Sequence, residues 1–185
     1  MHPLSRLAQV GAVIISGLVA TGCGSMKVSA FAENGIDFAQ YHTYNWGPPD
    51  ERTSGDPRLD NNPFFHERIR RDVERQLTGR GYRKLTNGQP DLTIHYHASI
   101  NQEVDVNGVD RQAGYCGEGN CQPYVYEAGT LLFDVVDAGT NRVIWRGWAD
   151  GSVDGVVHNQ QWMEQKIDDV VALIFEKYPR KLGTR

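Results

Sequence analysis

The chain has 185 residues, enough for one domain of ordinary size with a single core, and at 39% hydrophobic and 23% charged it is neither a disordered nor a membrane-embedded chain. A formal charge of -4 and a pI near 5.8 argue against nucleic acid as a partner, because such partners select strongly basic surfaces. Of the three cysteines, Cys23, Cys116 and Cys121, any disulfide pairing leaves one over.

The chain opens on an apolar segment. Arg6 is the only charged residue before Cys23, and "LAQVGAVIISGLVA", Leu7 to Ala20, is apolar apart from Gln9 and Ser16. This run falls short of the roughly 20 residues that span a bilayer, which predicts a cleaved secretory signal over residues 1–22 and not a membrane helix. It ends in "VATGC", small residues leading to a cysteine, which resembles the lipobox of bacterial lipoproteins, with Ala20 where a leucine is usual. The resemblance implies cleavage before Cys23 and acylation of Cys23, palmitate included. Residues 23–27 then form a tether so short that the domain sits almost on the membrane. The alternative, an ordinary signal with a free Cys23, would leave an exposed thiol in an oxidising compartment. Each buried methylene adds about 0.8 kcal/mol, so one acyl chain binds marginally and several hold firmly. Gly24 stands where lipoproteins resembling those of enteric bacteria carry an inner-membrane-retaining aspartate, which points to the periplasmic side of the outer membrane.

Alternation in "KVSAFA" and "YHTYNW" predicts strands over about residues 27–32 and 41–46. "GPPDERTSGDPRLDNNP" is too polar for a core element and reads as a long connection. Next comes a helix: Asn62 caps it, Pro63 suits its first turn, and Phe65, Ile69, Val73 and Leu77 form one apolar stripe, with Gly79 and Gly81 at its end. Arg68, Arg70, Arg71 and Arg75 alternate with Glu67, Asp72 and Glu74, so this charge reads as a solvated face and not as a patch for anionic lipid.

In "DLTIHYHASI" the period changes to two: Leu92, Ile94, Tyr96, Ala98 and Ile100 share one face, and Thr93, His95, His97, Ser99 and Asn101 share the other. A polar face of this kind belongs to an antiparallel sheet covered on one side. The glycine-rich "CGEGNC" is most simply a Cys116–Cys121 disulfide pinning a loop tip, stabilising by about 2 kcal/mol on loop-length scaling. "GTLLFDVVDAGTNRVIWRGWADGSV" reads as a hairpin, with Leu131, Phe133 and Val135 facing Val143, Trp145 and Ala149, and with Gly147 and Gly151 marking close packing or a bulge. Met163, Ile167, Val170, Val171, Ile174 and Tyr178 fall at helical spacing before Pro179, which predicts a second core helix.

The blocks "DPRLDNNPFFHERIRRDVERQLTGRGYR", "PDLTIHYHAS" and "EAGTLLFDVVDAGTNRVIWRGWADG" together resemble a family of bacterial envelope lipoproteins known as domain of unknown function 4136. The doubled Asn61 and Asn62 depart from the single asparagine expected before the proline, and the "CGEGNC" tip is particular to this chain. The resemblance implies fold and location but brings no activity with it.

No G-x-S-x-G elbow, Walker-type glycine loop or H-E-x-x-H motif is present, and Asp168 with Asp169 sits on a helix that is mostly amphipathic surface. His95 and His97 share a strand face about 6.5–7 Å apart, so they are candidate metal ligands if His42, Glu127 or Asp134 supplies a third; otherwise they are polar residues of an open face. Tyr115, Tyr124 and Tyr126 flank the cysteine tip, and Trp148 faces away from Trp145; such aromatics serve interfaces and ordinary sheets alike.

The expectation is an α+β fold: a mainly antiparallel β-sheet of about five to six strands with two α-helices packed on one face, in a single domain over residues 28–180 with a tail at 181–185. The expected function is that of a lipid-anchored, non-enzymatic envelope protein that binds or scaffolds other envelope components. No cofactor is expected, and the partners are the membrane, through Cys23, and an envelope protein. The alternative is a metal or small-ligand module built on His95 and His97.

Overall fold

The computed structural model describes residues 26–48, 54–60, 62–105 and 124–181. The expected signal and lipidation at Cys23, the Cys116–Cys121 pair and Tyr115 lie outside the described residues. The elements in chain order are β1 (Lys27–Ala32), a 3-10 turn (Phe38–Gln40), β2 (Thr43–Trp46), α1 (Pro57–Asp60), α2 (Pro63–Gly79), β3 (Arg83–Lys84), β4 (Leu92–Asp105), β5 (Tyr124–Asp137), β6 (Arg142–Ser152) and α3 (Gln160–Glu176). The six strands form one open sheet in the order β1-β6-β5-β4-β2-β3, a mixed, mostly antiparallel α+β fold.

α2 begins where Asn62 accepts a hydrogen bond from the Phe65 N–H and Pro63 fills a position whose amide needs no partner. Its stripe is as expected, with Ile69, Val73 and Leu77 fully buried, each contributing roughly 1.5–3 kcal/mol on removal from water. Gly81 lies in the left-handed region at φ 80°, which lets the chain turn directly into β3. α3 is capped in the same way by Asn159, whose side chain accepts from the Trp162 N–H. It buries Met163, Ile167, Val170, Val171 and Ile174, and also Phe175, which the spacing argument omitted.

One set of alternating sheet residues meets both helices. On the sheet, Tyr44, Leu92, Ile94, Phe133, Val135, Trp145 and Ala149 are buried in one cluster with the apolar stripes of α2 and α3. The Phe133 and Trp145 rings lie 5.6 and 5.5 Å from that of Phe175 on α3, and Tyr96 on β4 hydrogen-bonds His66 of α2.

Three local expectations need correction, and β2 adds a parallel pairing to the mainly antiparallel sheet. The polar connection after β2 contains α1, so there are three helices and not two, and Leu59, Ser54 and Asp56 within it are buried. β2 runs parallel to β4 and to β3, because α2 carries the chain back across the sheet before β4 begins. The strand ending at Ile100 continues to Asp105, and its partner begins at Tyr124, so β4 and β5 pair over 14 residues each. Finally, Val143 is 41% exposed: a register shift at Val135/Val136 inserts one extra residue into β6, and Ile144 takes the buried position instead.

Candidate functional site

Three places gather chemically distinctive side chains. The first is the sheet face opposite the helix-contacting set, where register aligns His95, Asp134, Arg146 and Phe31 in one row across β4, β5, β6 and β1. The neighbouring row is His97, Leu132, Trp148 and Ser29. Asp134 is buried, and it accepts a two-pronged bond from Arg146, Nε to Oδ1 at 2.6 Å and Nη2 to Oδ2 at 2.7 Å. That bond raises the Arg146 guanidinium above its ordinary pKa, against the opposing pull of burial. Phe31, beside Arg146, is 62% exposed, and Trp148 is half-buried.

His95 is not poised toward a ligand. Its ring lies across Gly47, where an added Cβ would meet His95 Cε1 at 2.1 Å. Of the three proposed additional ligands, Asp134 is closed onto Arg146 and Glu127 accepts from Arg58 at 2.9 Å. His42 lies before β2, where its backbone N–H is held by Asp91 at the start of β4, away from His97. Among the described residues no group of three or more His, Cys, Asp or Glu side chains comes together to hold a metal ion.

The second place is an ionic cluster between α2 and α3. Asp72 is fully buried on α2, with Arg68 Nε 3.2 Å from its Oδ2 and Arg75 Nη1 3.0 Å from its Oδ1; the Arg75 pair lacks hydrogen-bond geometry, so Oδ1 accepts no hydrogen bond. Arg68 continues to α3, donating to Asp168 Oδ1 and Glu164 Oε2, both at 3.0 Å. Burial, and then the neighbouring Asp168 carboxylate, push the Asp72 carboxyl up to about 6. Burial would raise Asp168 too, but bonds from Asp72 and Arg68 outweigh it and hold Asp168 down at about 2. The expected solvated face therefore holds for Arg71, which is exposed, but not for Arg68, which joins the helices. The i,i+4 spacing of Arg68 and Asp72 was the available signal.

The third place is an apolar pocket of about 70 Å³ at the end of the molecule where α2 and α3 begin. Ala98 and Ile100 of β4 and Leu131 of β5 form its floor, Phe65 and Met163 its helical walls, Leu59 of α1 its roof, and Met26 lies at its edge. Gly129 makes room for a further wall residue, since a Cβ there would come 2.7 Å from Val153 Cγ1. The roof is tied down: the Ser54 carbonyl accepts from the Ile100 N–H at 3.0 Å, and Ser54 N–H donates to Asp60. Arg58 links the same segment to Asp56, to Glu127 on β5 and to His158 before α3. The bond from Arg58 is the chief reason the Asp56 carboxyl lies below its ordinary value. Periodicity did not identify this pocket, because Leu59 sits in a polar segment and Met26 within the tether. Of the expected interface aromatics, Tyr126 donates to Glu103 across the β4–β5 pair at 2.9 Å.

A profile of the family described as "Domain of unknown function (DUF4136)" matches residues 28–180. The chain belongs to the DUF4136 family. No curated protein matches it. Among solved structures it is similar to a PDZ domain protein from Parabacteroides distasonis, at 16% identity and a TM-score of 0.55, with 86% of this chain covered and only 37% of that one. It is also similar to a DUF4136 family protein from Bacteroides thetaiotaomicron, at 13% identity and a TM-score of 0.48, covering 80% of this chain and 94% of that chain. A third likeness is to a putative neuraminyllactose-binding hemagglutinin homolog from Helicobacter pylori, at 13% identity and a TM-score of 0.41, covering 77% and 86%. At 16% identity, the likeness to the PDZ domain protein is one of fold.

Proposed function

We propose that this DUF4136 protein is a non-enzymatic binding module of the bacterial envelope, anchored through a lipid on Cys23 on the periplasmic side of the outer membrane, and that it engages an envelope protein through the sheet face around Phe31. The observation that supports this most is the arrangement of that face. An exposed phenylalanine stands beside an Arg–Asp pair, with a half-buried tryptophan in the next row of the same sheet face. Aromatic residues and arginine are the side chains that carry binding energy at protein interfaces. β1 is also an edge strand in the sheet order, so its outer backbone groups are placed for pairing with a partner segment. The His95–His97 alternative draws no support from the geometry, since Arg146 occupies Asp134, the carboxylate opposite His95 in the β4–β5 register.

The reading is tested by placing a photo-crosslinking amino acid at Phe31 or Trp148 in cells and comparing it with one at exposed Thr78 on α2. A discrete partner protein captured from the first two positions and not from Thr78 supports the proposal. Equal or absent capture at all three overturns it.

A further inference from the structure

We infer that the apolar pocket is a binding site for a lipid acyl chain, and that its occupant is one of the chains carried by Cys23 of the same molecule. The inference rests on the anchored reading of Cys23 and adds what one of its chains does. The pocket's lining is apolar except for Ser99, Thr130 and Lys166, which suits hydrocarbon and offers little to a polar ligand. Its volume of about 70 Å³ is under half of the roughly 150 Å³ that admits benzene in an apolar cavity, so a linear methylene chain fits where a ring does not. Met26 and Met163, both lining the pocket, have unbranched polarizable side chains that adapt to such an occupant.

Chain length selects the occupant. Met26 lines the pocket and lies three residues after Cys23, so even a fully extended backbone keeps the two Cα atoms within about 11 Å. A chain attached at Cys23 is thus presented to the pocket at high effective concentration, whereas a free lipid must be captured from the bilayer. Each methylene that enters adds about fourfold to the occupancy constant.

The rim fits a membrane at this end. Phe64 and Trp162, each next to a lining residue, Phe65 and Met163, are 66% and 57% exposed. Tryptophan, with an apolar body and a polar N–H, favours the bilayer interface, and an exposed phenylalanine adds apolar surface. Lys166 lines the same pocket, with an aliphatic stem for the hydrocarbon and an ammonium for a headgroup phosphate.

The test feeds cells a diazirine-bearing palmitate, irradiates them, purifies the full-length protein and maps crosslinked peptides by mass spectrometry. Mixing light- and heavy-isotope cells before irradiation separates crosslinks within one molecule from those between molecules. The expected result is label on Cys23 with intramolecular crosslinks to residues 98–100, 129–131 and 163–170, reduced at least tenfold by Ala98→Phe, which fills the floor. Label on Cys23 with crosslinks only to phospholipid, or only between molecules, overturns the inference and leaves the anchor standing. No label on Cys23 overturns the anchor and the inference together. If Ala98→Phe fails to fold, Met163→Glu gives the same comparison at the wall, and the wild-type crosslink map decides without either variant.

Discussion

Gly147→Ala probes a point of close approach between the sheet and α3. An alanine Cβ there would lie 2.3 Å from Trp145 Cη2, 2.5 Å from Cζ2 and 2.7 Å from Ile174 Cγ2. Neither neighbour has room to yield. Trp145 and Ile174 are fully buried, and the indole is wedged by Tyr178 and Phe175, whose ring centres are 4.9 and 5.5 Å away. Overpacking of this kind costs about 1–3 kcal/mol, and the reduced freedom of an unfolded alanine offsets about 0.4–1 kcal/mol of it. The net expectation is a loss of about 1–2 kcal/mol, or a Tm lower by about 2–8 °C for a domain of this size. The cause is tested by repeating the substitution in Trp145→Phe, which deletes both crowded indole atoms along with a buried Nε1–H that has no hydrogen-bond partner. Urea denaturation of the four proteins, followed by circular dichroism, should give a coupling of about 1 kcal/mol between the two sites. Equal losses from Gly147→Ala in both backgrounds, or an unchanged Tm in the single variant, would refute the packing argument.

Other expectations follow from the sites described above. Because Asp72 has its pKa raised to about 6, the folded protein holds a proton that the unfolded chain releases near 4, so this group makes stability fall as pH rises from about 4 to 6. Asp168, held down at about 2, acts in the opposite sense, its contribution being complete above about 4 and lost as pH falls toward 2. Thermal melts of Asp72→Asn across this range should lack the decline between pH 4 and 6; a decline equal to that of the wild type would count against the assignment. Asn62→Ala, which removes the α2 cap, should destabilise by about 1 kcal/mol in the same assay, whereas Asn62→Gly should lose only a few tenths. Phe31→Asp should leave the melting temperature nearly unchanged, because exposed positions contribute within about 0.5 kcal/mol, while abolishing partner capture from Trp148. Cys23→Ala should release the protein from the membrane fraction or leave it unprocessed, and a processed, membrane-bound variant would remove the anchor from the argument.

The elements most legible in the sequence were those whose burial is periodic. The α2 stripe at Phe65, Ile69, Val73 and Leu77 and the alternation of β4 both carried into the structure, because one face of each packs on the core, with Leu92 and Ile94 of β4 buried and Tyr96, Ala98 and Ile100 partly so. What escaped was set by neighbours distant in the chain. The bulge that exchanges Val143 for Ile144 depends on how β6 meets β5, and no local pattern records it. The parallel pairing of β2 with β4 depends on where α2 returns the chain. At the candidate sites, His95 and His97 were visible as a pair, but the Arg146 that occupies Asp134 comes from another strand, and the glycine beneath the His95 ring comes from a third segment. The pocket was least legible, since its walls are contributed by three helices, two strands, the segment after β6 and the end of the tether, each with only one to a few residues.

The pairing of β1 with β6 orders events in time. Lys27 faces Asp150 and Ala32 faces Trp145, so the first strand to leave the ribosome waits for more than a hundred further residues before its partner exists. Contacts of such separation form late and slowly. Until the last hairpin is complete, the sheet cannot close over its own beginning, and the residues next to Cys23 remain an unpaired lead. On the anchored reading proposed above, this topology leaves β1 unpaired while the rest of the sheet is made, and only then joins it to β6.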